Sequence, residues 1–129
     1  IYSNKNINNL SIESLSFDGD RTLNNYLKSN LTRYKNSNSP KKISLKIITD
    51  YQKIILSKDS TGTVNKYELT ARATFTIMPN NQTIVFTQEK IMDNMDNKAD
   101  EKRFENSTKQ TFANVMVNKL ILELAEIKW

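Results

Sequence analysis

The feature that most constrains this chain is a twelve-residue alternation at 66–77. Tyr67, Leu69, Ala71, Ala73, Phe75 and Ile77 fall on one parity, and Lys66, Glu68, Thr70, Arg72, Thr74 and Thr76 on the other. Successive side chains of a strand point to opposite faces. The segment is therefore a strand with one apolar face and one polar face. A sheet of this kind needs a second layer on the apolar side alone. Two flanking strands are legible. Ile43, Leu45 and Ile47 alternate, and the apolar pattern runs on to Leu56; 83–91 reads as another strand. A turn at 57–63 holding Gly62, and Pro79-Asn80-Asn81, separate them, so 43–91 is predicted to be a three-stranded antiparallel meander.

Before the meander, 10–17 reads as a first strand whose alternation slips near Ser14. Asp18-Gly19-Asp20 is a turn, and Asp20 can cap a helix by accepting from its free N–H groups. Leu23, Tyr26, Leu27, Leu31 and Tyr34 then recur at helical spacing. Residues 36–40, ending in Pro40, are predicted to stop that helix. After the meander, 93–100 is a polar linker with Asn97 as a cap, and Asp100 and Glu101 suit the positive end of a helix dipole. A closing helix runs to about Ile127. Phe104, Phe112, Met116, Leu120 and Leu124 form its apolar line, broadened by Ala113, Val117, Ile121 and Ile127.

The expected fold is α+β: a two-layer sandwich in which a four-stranded, mostly antiparallel sheet carries two helices on one face, in the order β-α-β-β-β-α. The 129 residues are expected to be a single domain, with 1–9 loose. The chain opens polar and without Met, which reads as a processed N-terminus with any targeting segment upstream.

Composition removes most chemistry. There is no histidine and no cysteine, so Ser-His-Asp and Cys-His catalysis and thiolate metal sites are impossible. Two glycines cannot supply a phosphate-cradling loop. Asp18-Gly19-Asp20 lacks further carboxylates at calcium-loop spacing and reads as a turn and cap. Asp93, Asp96, Asp100 and Glu101 read as solvated linker and helix-start residues. No catalytic residue, metal site or cofactor is expected, and the chain is read as a binding or assembly protein rather than an enzyme.

The net charge of +5 admits an anionic partner, although the lysines are scattered rather than clustered. One reading is a single-stranded nucleic-acid binder, which stacks bases on aromatics of an open sheet face. The polar parity of 66–77 has none; Tyr67 and Phe75 point inward. A generic periplasmic adaptor with a peptide partner is a second alternative.

Three segments resemble a known family. Val64 through Ile77 (VNKYELTARATFTI) is similar to the central strand of the lipopolysaccharide-assembly lipoprotein family LptE, also called RlpB. Leu15 through Leu31 (LSFDGDRTLNNYLKSNL) resembles its first strand, Asp-containing turn and Leu-spaced helix. Asp93-Asn94 followed by 105–124 resembles its last strand exit and closing helix.

The resemblance implies a non-enzymatic outer-membrane lipoprotein on the periplasmic side. It would plug and help assemble the LptD β-barrel, and bind lipopolysaccharide. It also implies a membrane anchor on an acylated cysteine; this sequence has none, so the anchor is expected upstream. The positions matching the family's lipopolysaccharide-binding regions are Lys58 and Lys66, near the turn between the second and third strands, and Lys102 and Arg103, near the start of the last helix. Nucleic acid is not expected as a partner.

Overall fold

The structure, a computed structural model, describes residues 10–34, 41–78 and 80–126. The elements run β1 (Leu10–Asp18), α1 (Arg21–Thr32), β2 (Lys41–Lys58), β3 (Val64–Met78), β4 (Gln82–Asp93) and α2 (Lys98–Glu126). One four-stranded sheet has the order β1-β2-β3-β4. The β2–β3 and β3–β4 pairs are antiparallel, as the meander requires. The β1–β2 pair is parallel, because α1 carries the chain back to the starting end before β2 begins. The expected loose segment 1–9, the helix stop at 36–40, Pro79 and Ile127 lie outside the described residues.

The slip in alternation near Ser14 is a β-bulge. Ile12 pairs with Ile43 and Ser14 with Ser44, so Glu13 is the extra residue. The bulge restores parity, and Ile12, Leu15 and Phe17 all turn toward the helices beside Ile43, Leu45 and Ile47.

Both helices lie on that face. Leu23, Leu27 and Leu31 of α1 and Phe112, Met116, Leu120 and Leu124 of α2 are buried in one cluster with Ala71, Ala73, Phe75 and Ile77. Phe75 meets Phe86 edge to face, with ring centroids 5.9 Å apart. Phe104 is only half-buried, and buried Thr108 takes the next place on the line.

The predicted caps form. The Asp20 carboxylate accepts from the Leu23 N–H at 2.9 Å. The Asn97 side chain accepts from the Ala99 N–H at 2.9 Å. Two tight corners set the connections. Asn81 adopts φ 58°, a left-handed conformation that Asn tolerates. Gly19 has φ +107°, and a Cβ on it would lie 1.9 Å from the Thr49 carbonyl oxygen. Only glycine closes the β1–α1 corner onto β2.

Candidate interaction surface

The face turned away from the helices is ordered by the strand register. Across β2, β3 and β4 its rows are Lys46–Thr76–Thr83, Ile48–Thr74–Val85, Asp50–Arg72–Thr87, Gln52–Thr70–Glu89 and Ile54–Glu68–Ile91. The polar face expected from 66–77 holds for β3 alone. Its neighbours add Ile48 (47% exposed), Ile54 (44%), Val85 (44%) and Ile91 (54%). The surface is therefore a polar central strand flanked by exposed aliphatics on both sides. Exposed aliphatics are ordinary when single, and here Thr74 or Glu68 separates the two of each row. Among the described residues this face carries no aromatic side chain. The stacking platform that single-stranded nucleic acid needs is missing from it.

The run Ile54-Ile55-Leu56 explains the difference. By hydrophobicity alone it extends the core-facing pattern of β2, yet all three residues are exposed. Parity puts Ile54 on the open face; Ile55, opposite Tyr67, shares the parity of Lys53 and is exposed near the end of the strand. Ile43, Leu45, Ile47, Thr49, Tyr51 and Lys53 share the helix side, so the inner face of β2 changes from apolar to polar along its length.

That polar half is filled by a network. Lys53 Nζ donates to Glu101 Oε1 at 2.6 Å and to Glu105 Oε2 at 3.2 Å. The Tyr51 hydroxyl donates to Glu105 Oε1 at 2.6 Å. Lys109, 6% exposed, pairs with Asp20 at 3.1 Å, and its ammonium sits 4.0 Å from the centre of the Tyr51 ring. Thr49 Oγ1 donates to Asn24 Oδ1 at 2.7 Å and accepts from the Asp20 N–H.

Glu101 departs most from expectation. Read from sequence as a solvated helix-start residue, it is 3% exposed and accepts from both Lys53 and the Met95 N–H. The hydrogen bond from Lys53 holds its carboxyl below the usual range, against the opposing effect of burial. Burial would lower the Lys53 ammonium, but its bonds to Glu101 and Glu105 outweigh that and raise it. Burial, and then the bond to Glu105, push the Tyr51 phenol upward. The sequence signal for this network was available only in the parity of Thr49, Tyr51 and Lys53.

Asp93, Asp96 and Asp100, read with Glu101 as solvated residues, are exposed, as expected. Asp93 pairs with Lys66 at 2.8 Å, and Asp100 pairs with Arg103. Among the described residues no cluster of acidic side chains could hold a metal ion.

The four basic candidates lie at one end of the sheet, where the β2–β3 hairpin, the exit of β4 and the start of α2 meet. They do not share a face. Lys66 stands on the open face opposite Asp93. Lys102 and Arg103 belong to the helix layer. Lys58 is at the hairpin, beside a turn in which the Asp59 carboxylate accepts from the Thr61 and Thr63 N–H groups. The side chains of Lys58 and Lys102 form no hydrogen bond or ion pair with another described residue.

No family profile and no curated protein matches this chain. Solved structures do. Rare lipoprotein B from Shewanella oneidensis is 18% identical with a TM-score of 0.58, over 84% of this chain and 93% of that one. A putative lipoprotein from Caulobacter crescentus is 15% identical with a TM-score of 0.61, over 94% and 90%. An uncharacterized lipoprotein B from Nitrosomonas europaea is 16% identical with a TM-score of 0.60, over 92% and 88%. The chain thus has the fold of rare lipoprotein B, the family that its three segments resemble.

Proposed function

We propose that this chain is a lipid-anchored, non-enzymatic component of the outer-membrane lipopolysaccharide translocon. In this reading it faces the periplasm, plugs the LptD β-barrel and assists its assembly. The observation that carries the reading is the fold, shared along most of the chain with solved lipoproteins, two of them named lipoprotein B. The open face supports it: rows of Thr, Lys, Arg and Glu beside single aliphatics suit a wet, hydrogen-bonded contact with a polar barrel lumen. Lys58, Lys66, Lys102 and Arg103 are the proposed lipopolysaccharide contacts, and their charge suits its phosphates.

Co-expression with the cognate LptD barrel is expected to give a stable one-to-one complex. A barrel that folds normally and never co-purifies with this chain overturns the proposal. Neutralising the four basic residues is expected to weaken lipopolysaccharide binding by about 1 kcal/mol per residue. Unchanged binding removes them as contacts. Binding of single-stranded nucleic acid that falls steeply with salt would instead favour the nucleic-acid reading.

A further inference from the structure

The two edges of the sheet are built differently. The β1 edge is guarded. Its bulge at Glu13 breaks the ladder, and the outward N–H of Ile12 is taken by the Tyr34 carbonyl at 3.3 Å. These are two of the devices by which proteins stop an edge from pairing with another strand. The β4 edge has neither. It pairs with β3 from Gln82 to Asp93 without a register shift, and it contains no proline. Among the described residues none bonds to the outer backbone groups of this twelve-residue strand, which leaves a ladder of donors and acceptors open.

The sequence of β4 identifies what fits there. Read outward from Gln88, the strand mirrors itself. Val85 and Ile91 stand three residues to either side, both half-exposed on the open face. Ile84 and Met92 stand four residues to either side, on the helix face, Ile84 half-buried and Met92 buried. In an antiparallel pair, residues directly opposite point to the same face. A two-fold axis at Gln88, normal to the sheet, would place Val85 opposite Ile91 of a second copy and Ile84 opposite its Met92. Thr87 would meet Glu89, and Phe86 would meet Lys90. No like charges would oppose each other. Moving the axis to Glu89 sets glutamate against glutamate, and moving it to Lys90 sets lysine against lysine, which destabilises a strand pair. Moving it to Thr87 puts Val85 opposite Glu89 and Ile84 opposite Lys90, and loses the exposed Val85–Ile91 match.

We propose that the β4 edge is a homodimer interface, in which two copies of this chain pair β4 to β4 in antiparallel register about Gln88 and form one eight-stranded sheet. The proposal is independent of any barrel partner. It describes the chain on its own.

Sedimentation velocity from about 10 µM to about 1 mM is expected to show a concentration-dependent step to twice the monomer mass. Val85→Lys and Ile91→Lys alter exposed side chains and should leave the fold intact by circular dichroism. Each is expected to weaken dimerisation at least tenfold. Because the chain has no cysteine, a single introduced thiol reports the register. Opposed Cβ atoms in a strand pair lie about 5 Å apart, near the reach of a disulfide. Gln88→Cys is expected to give an oxidised dimer at high yield, and Thr74→Cys, inside the sheet on β3, is not. A chain that stays monomeric throughout the range overturns the proposal. So does a dimer that survives both lysine substitutions, or equal cross-linking by the two cysteine variants.

Discussion

The helix-covered face of the sheet has two halves that are held by different physics. In one, Ile43, Leu45, Ile47, Phe75 and Ile77 meet the leucines of α1 and the Phe112–Leu124 stretch of α2. In the other, along the same strand, Thr49, Tyr51 and Lys53 meet Asp20, Glu101, Glu105 and Lys109. The apolar half tolerates shifts, because burial has no direction. The polar half fixes position, because each bond requires one geometry. The first turns of α2 are therefore set on β2 by directional contacts, and the rest of the helix is held by packing. Buried ion pairs give little net stability over an apolar replacement but are costly to break on one side.

Substitutions in the two halves test this division. The largest effect is expected from Phe75→Ala, which empties the centre of the apolar half. A loss of about 3–5 kcal/mol in guanidinium unfolding is expected. A loss below about 1 kcal/mol would place the core's weight elsewhere.

Glu101→Gln keeps the shape of the polar half and removes its charge. A loss of about 2 kcal/mol is expected, since Lys53 retains Glu105 but its shorter bond then ends on a neutral acceptor. Its signature is in the pH dependence. The Glu101 carboxyl is depressed in the folded state, so its contribution is complete above the ordinary value of 4.5 and fades as pH falls through the folded one. The Lys53 ammonium is raised, so its contribution is complete below 10.5 and fades as pH rises beyond that. Unfolding midpoints measured down from pH 6 should decline less steeply in Glu101→Gln than in the parent chain. Parallel acid limbs would show that Glu101 does not carry the ion-pair energy.

The smallest effect is expected on the open face. Lys66→Ala removes an exposed pair with Asp93 and should change stability by less than about 0.5 kcal/mol. A larger loss would mean that the open face is part of what holds the sheet.

The comparison also explains what was legible beforehand. The alternation of Tyr67 through Ile77 was enough for the sheet, its two unlike faces and the side on which the helices lie. Ser14 marked its bulge, and Asp20 and Asn97 marked their caps, because each is a local rule obeyed by adjacent residues. Glu101 and the β2 parity were not legible in the same way. An exposed and a buried glutamate look alike at a helix start until the lysine opposite, 48 residues away, is known. Ile54-Ile55-Leu56 continues the apolar pattern of β2, and hydrophobicity alone does not show that all three are exposed. The four basic candidates came from resemblance, and the fold spreads them over the two layers at one end of the sheet.

Gly19 has a consequence for reading distant relatives. At 14–18% identity, aligned residues agree too seldom for any one match to anchor the rest. The corner after β1 is an exception in kind. The residue there is dictated by the distance to a carbonyl oxygen, so it cannot drift while the corner persists. A glycine following the first strand, two residues ahead of a helix start, is thus a fiducial mark from which the register of a divergent sequence can be counted.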